Sequence, residues 1–182
     1  MPRITGLDLA AKDKNASGIA VLDSQKRRFI EIRHAYKDED IIGVIEGHSS
    51  TIVVVDAPLS LPPSGKAFRE VELEALKRGA RLLPLVSPAM RTLALRAINL
   101  ANKLRTRGIK VYETHPWSAL RLSNCALEEL LSRLGIRGLP TGLSRHERDA
   151  VIAAIVGLCV FEGCAESIRG GKETIFLLKK IC

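Results

Sequence analysis

Three acidic residues each end a run of alternate positions that is otherwise uncharged. Asp8 follows Ile4 and Gly6, Asp56 follows Ile52 and Val54, and Glu113 follows Ile109 and Val111. Alternate residues of a β-strand share a face, so each acid would stand at the carboxyl end of its own strand. In open α/β sheets that edge is where ligands bind. On parallel neighbours about 4.8 Å apart, three carboxylates would repel one another and resist ionisation unless a cation joined them. Clustered carboxylate oxygens suit Mg2+ or Mn2+.

A fourth acid lies in "LSRHERDAVIAAIVGLCVF". Ser144 and Glu147 have the spacing of a capping box, which predicts that a helix starts there. Glu147 is thereby explained as a cap. Asp149 is not, because it lies one turn in and is followed by twelve residues without a charge. Ala150, Ala153 or Ala154, and Gly157 give this helix a stripe of small side chains. Such a stripe lets the helix approach a sheet closely and would bring Asp149 beside the other acids.

The elements that must position these acids are legible in outline. Ile52, Val53, Val54 and Val55 put apolar groups on both faces, as in a central parallel strand covered on both sides. Pro58 and Pro62 stiffen the loop behind Asp56, and Mg2+ demands fixed ligand geometry. Strands are predicted over 3–9, 17–22, 28–34, 51–56 and 109–113, the third at an edge because it alternates most. Helices are predicted over 38–47, 67–79, 87–108, 126–134 and 144–164, with a last strand over 174–178. Three strands joined by short connections should be antiparallel neighbours, and strands joined through helices should be parallel. The expectation is one α/β domain over residues 1–182. Its mixed five-stranded sheet has three antiparallel strands, then parallel ones, with helices on both faces.

The chain carries 28 Lys and Arg against 20 Asp and Glu, a net charge of +8. Such an excess suits a polyanionic partner. Aromatic residues are 4% of the chain, which argues against a base-stacking platform and for phosphate contacts. No apolar run reaches the roughly 18 residues of a membrane span, and "MPRITGLDLA" enters a strand with no leader. A cytoplasmic protein without a membrane partner is expected, with monomer and homodimer both open. Cys125, Cys159, Cys164 and Cys182 show no C-x-x-C spacing, so zinc is not expected. Cys159 reads as a small core residue. One Gln and four Asn resemble a thermophile's usage, which would permit a Cys164–Cys182 disulfide.

At the acids the sequence resembles a known family. "GLDLA", "SGIAVLD", "VVVDAPLSLP", "VYETHP" and "RHERDAVIAA" are similar to uncharacterised predicted nucleases with an RNase-H-like fold, over nearly the whole chain. The resemblance implies that Asp8, Asp56 and Asp149 are metal-binding acids. The acid that RNases H proper carry on their first helix has no clear match here; Glu39 and Glu46 are ordinary exposed-face positions, and Glu113 is the expected replacement from the next strand. The implied chemistry is phosphodiester hydrolysis with two Mg2+ or Mn2+ ions, one activating water and one stabilising the leaving oxygen. Asp8 would bridge, Asp56 and Asp149 would flank, and Glu113 would be a fourth ligand or orient water. RNA, DNA and junction substrates all stay open.

His115 and His146 adjoin the acids as candidate proton shuttles. Lys12, Lys14, Lys66 and Arg69 follow the acidic strand ends as candidate phosphate contacts. The rival reading is a non-catalytic nucleic-acid-binding module, which explains the charge but not four aligned acids. An actin-like or sugar-kinase phosphotransferase would need a second copy of the fold. "RGGKET" at 169–174 lacks the spacing of a P-loop.

Overall fold

The computed structural model describes residues 1–182. Three strands open the chain: β1 (Arg3–Asp8), β2 (Ser17–Asp23) and β3 (Arg28–Ala35). Helix α1 (Asp38–Gly47) leads to β4 (Ile52–Asp56), and α2 (Glu70–Lys77) and α3 (Pro88–Arg105) lead to β5 (Lys110–Thr114). Helices α4 (Pro116–Ser123), α5 (Leu127–Arg133) and α6 (Arg145–Glu162) follow, then β6 (Ala165–Gly170) and β7 (Glu173–Leu178).

The strands form one sheet in the order β3-β2-β1-β4-β5-β7-β6. The expected arrangement holds for the first five: β3, β2 and β1 are antiparallel neighbours, and β1, β4 and β5 run parallel. Beyond β5 the sheet continues. β7 pairs parallel with β5, and β6 closes the edge antiparallel to β7. The sheet therefore has seven strands. β6 was not foreseen because its sequence, AESIRG, holds one fully buried apolar side chain, Ile168. Helix α4 was not foreseen either; it starts on Pro116, a favoured first helical residue.

Two apolar layers cover the sheet. On one face Ile4, Ile52 and Val54 pack with α6, whose residues from Ala150 to Cys159 are all buried. On the other, Leu7, Val53 and Val55 pack with Ile41 and Ile45 of α1 and with Leu100 and Leu104 of α3. The first layer depends on small residues. A Cβ added to Gly6 would stand 2.0 Å from the Ala150 carbonyl oxygen and 2.4 Å from the Ala154 nitrogen. A Cβ on Gly157 would meet Ile4 Cγ2 at 2.6 Å and Val54 Cγ2 at 2.8 Å. Helix α6 thus lies backbone to backbone on β1, as its small-residue stripe suggested. Gly6→Ala should therefore lower stability by about 1–3 kcal/mol in denaturant unfolding, since neither backbone can yield without repacking the layer. A neutral result would mean that α6 shifts freely on the sheet.

The cysteines pair differently from expectation. Cys125 is bonded to Cys182 and Cys159 to Cys164. Four cysteines allow three pairings, and spacing does not choose among them. The fold decides: the Ile181 and Cys182 N–H groups both donate to the Ser123 carbonyl, which brings the C-terminus onto the end of α4. Cys159 is a core residue as expected, but it is bonded to Cys164 across the end of α6.

Candidate active site

The register of the parallel strands sets which acids meet. Asp8 of β1 is the direct partner of Asp56 of β4, and Asp56 is the partner of Thr114 of β5. Asp8 and Asp56 therefore share a level and a face, the face that α6 covers. Helix α6 begins as its capping box predicts, with Ser144 Oγ accepting from the Glu147 N–H at 3.2 Å and Glu147 accepting from the Ser144 N–H at 2.9 Å. One turn later Asp149 lies near enough to disfavour the ionisation of Asp56, and Asp8 near enough to disfavour that of Asp149.

All three acids are held above the ordinary aspartate range. Burial is the largest cause in each. For Asp56 the charges of Asp8, Asp149 and Glu113 add to it, and the shift is large. Asp149 is raised further by Asp8. Asp8 is partly relieved by His146, whose Nδ1 lies 2.6 Å from its Oδ2. A carboxylate with a raised folded-state pKa binds its proton more tightly in the folded protein, so folding gains stability as pH falls through that pKa. Without divalent ions the protein should therefore become more stable from pH 8 towards pH 5, and saturating Mn2+ should flatten the rise. Melting curves across that range check both.

Glu113 lies elsewhere. Val55, not Asp56, is its partner on β4, so it projects from the opposite face of the sheet. The shared phase within β5 is real, but the register displaces it by one residue, and one residue exchanges the faces. There Glu113 is paired with Arg69, Oε1 to Nη2 at 2.5 Å and Oε2 to Nη1 at 3.0 Å, and Oε2 also accepts from the Leu59 N–H at 2.9 Å. Burial raises Glu113 against the pull of Arg69. Both its oxygens are thus engaged by Arg69 and the Leu59 N–H, while its charge still bears on Asp56.

Arg69 is correspondingly no surface phosphate contact. It is 2% exposed and also bonds Glu72 at 2.9 Å and Ser60 at 3.0 Å. Burial opposes its charge, but Glu113 and Glu72 overcome that and hold it ionised. Lys12, Lys14 and Lys66 are exposed, as a phosphate-binding role requires. His115 caps α4: its Nδ1 accepts from the Ser118 N–H at 3.3 Å and lies 2.8 Å from Ser118 Oγ. Burial pushes its pKa down to about 4, so it is neutral at pH 7 and ill suited to shuttle a proton. His146, half-exposed and against Asp8, is better placed.

Sequence reasoning missed Arg145. It is exposed, its Nε lies 3.7 Å from Asp149 Oδ2, and its charge favours ionisation of all three aspartates. The signal was there, an Arg four residues before Asp149 at the spacing of helical neighbours.

A cavity of about 180 Å³ adjoins the acids, lined by Asp8, Asp56, Glu113, Thr114 and His115 with apolar Leu82 and Met90. As the side chains stand, no three His, Cys, Asp or Glu groups are close enough to hold an ion. Asp8 is turned to His146 and Asp149 to Arg145. The donor set itself fits a hard divalent cation: three aspartates, each disfavoured as an anion by burial, two of them in register.

No family model matches the chain, and no curated protein matches its sequence. Solved structures do match. One is T. thermophilus RuvC in complex with Holliday junction substrate, at 19% identity and TM-score 0.52, covering 90% of this chain and 97% of that one. Another is Thermus thermophilus RuvC, at 15% identity and TM-score 0.53, covering 88% and 96%. At such identities the likeness is one of fold. With its mixed sheet, parallel β1, β4 and β5, and α6 across them, the chain has the RNase-H-like fold of RuvC.

Proposed function

We propose that the protein is a divalent-metal-dependent nuclease that hydrolyses phosphodiester bonds at Asp8, Asp56 and Asp149. The observation that carries this reading is the meeting of Asp8 and Asp56 in register, with Asp149 on the helix that covers the same face. Buried carboxylates that resist ionisation are costly for stability, and such groups cluster where chemistry is done. The RuvC likeness supports the same reading, and the junction named in one of those structures makes branched DNA a substrate worth including.

Asp8, Asp56 and Asp149 would hold the ions, Mg2+ or Mn2+. When bound, such ions lower the pKa of water and stabilise the leaving oxygen of an in-line displacement. The rest falls to the chain. The backbone contact between α6 and β1 fixes Asp149 relative to Asp8. His146 holds Asp8 and can accept or return a proton at Nδ1. Arg145 offers a cation beside the acids for a substrate phosphate. Lys12 and Lys14, in the turn after β1, extend that positive surface. Arg69 with Glu113 ties the loop after β4 to the end of β5 through the Leu59 N–H.

The test is Mn2+-dependent cleavage of a panel of single-stranded RNA, single-stranded DNA, duplexes and branched DNA. Metal-dependent cleavage of any of them, lost in Asp8→Asn, supports the nuclease. Binding without cleavage and without Mn2+ stabilisation would favour the binding module instead. Phosphate contacts should also dominate affinity: with Asp8→Asn, log Kd should change steeply with log salt, about 0.7–0.9 for each phosphate neutralised. Charge reversal at Lys12 and Lys14 should flatten that slope by nearly two such increments without altering sequence preference. An unchanged slope would remove that turn from the interface.

A further inference from the structure

The chain has one tryptophan, Trp117, and it is not in the core. It is 48% exposed, whereas a large aromatic ring usually gains most by burial. Two guanidinium groups stand against it, Arg81 Cζ at 5.3 Å and Arg121 Cζ at 5.5 Å from a ring centroid. Both arginines are exposed, and neither makes a salt bridge. Two cations thus stand at one exposed ring with no acid between them, a cluster that favours an anionic ligand.

The cluster is also built onto the candidate active site. Trp117 is the second residue of α4, which starts directly after His115 at the end of β5. The Arg81 N–H donates to Ser118 Oγ at 3.0 Å, and Ser118 Oγ lies 2.8 Å from His115 Nδ1. His115 lines the cavity with Asp8 and Asp56, and so do Leu82 and Leu83, the residues that follow Arg81. Leu83 is 66% exposed and adds apolar surface to the rim. Hydrogen bonds through Ser118 thus tie the Arg81 backbone to His115 of the cavity wall.

We propose that Trp117, Arg81 and Arg121 form a platform for a single-stranded segment of nucleic acid beside the scissile phosphate. The indole stacks on an unpaired base, and the two guanidiniums grip the flanking phosphates. Stacking on an aromatic ring needs an unstacked base, so the platform selects single-stranded or branch-point nucleotides over a continuous duplex. The inference rests on the nuclease reading of the acids and adds to it the strandedness of the substrate. It departs from the expectation drawn from the low aromatic content, because a platform needs one well-placed ring, not many.

Because Trp117 is the sole tryptophan, fluorescence excited at the red edge of the tryptophan band, beyond the absorption of the two tyrosines, reports on it alone. Asp8→Asn protein is titrated with oligo(dT) and with a blunt duplex of equal length, at low salt and without divalent ions. A saturable quench is expected with oligo(dT), and a much weaker one with the duplex. In fluorescence anisotropy with a labelled oligo(dT), Trp117→Ala should weaken binding about tenfold or more, and Trp117→Phe should restore part of it. Arg81→Ala with Arg121→Ala should weaken binding and lessen its salt dependence. Circular dichroism checks that each variant is folded. If the labelled strand binds but fluorescence does not change and Trp117→Ala binds normally, the platform is wrong and the nuclease reading stands. If no oligonucleotide binds and the substrate panel is not cleaved, both fall.

Discussion

Asp56→Asn should cost the protein at least about a thousandfold in Mn2+-dependent cleavage while making the metal-free protein more stable. The two effects have one cause. Burial and the charges of Asp8, Asp149 and Glu113 disfavour the Asp56 carboxylate. The amide removes that repulsion, so the melting temperature in chelator should rise. On the nuclease reading the same change also removes a proposed metal ligand, and losing about 4 kcal/mol of transition-state stabilisation is roughly three decades in rate. The Mn2+-induced rise in melting temperature should vanish as well. A variant that keeps its response to Mn2+ would reduce Asp56 to a strand-end cap. Thermal melts with chelator and with Mn2+, beside single-turnover cleavage, separate these outcomes.

Arg69→Ala should be the most damaging change to stability, at about 3–5 kcal/mol, because it leaves buried carboxylates without their partner. Glu113 and Glu72 both bond Arg69, and all three are nearly inaccessible. The loss should appear in urea unfolding and should be partly recovered in Arg69→Met combined with Glu113→Gln and Glu72→Gln, which removes the orphaned charges. If Arg69→Ala instead keeps its stability and loses only nucleic-acid affinity, Arg69 is a phosphate contact after all. The Nε of Arg69 has no hydrogen-bond partner within the buried network.

What could be read in the sequence, and what could not, divides along a physical line. Local signals held. The alternation ending on Asp8 and Asp56, the capping box at Ser144, and the small residues of α6 each depend on neighbours in the chain. They placed β1, β4 and α6 and the acids on them. Register did not hold for β5, because the pairing of parallel strands is set by the connections between them and not by either strand's own pattern. Glu113 and Thr114 exchange roles through a displacement of one residue that nothing in "IKVYETHP" announces. Arg69 carries no mark of burial either: it stands between Phe68 and Glu70, and only the fold brings Glu113 to it. The disulfides were hidden for the same reason, since Cys125 and Cys182 meet only when the C-terminus reaches α4.

The contact between His146 and Asp8 spans 138 positions of the chain. β1 and α6 are made far apart in time, so the acids they carry can meet only after α6 has emerged and packed on the sheet. Any fragment that stops before α6 also lacks the helix that covers β1, and so lacks both the third acid and the layer that orders the other two. An unfinished chain therefore cannot assemble the acidic cluster, whatever chemistry that cluster performs.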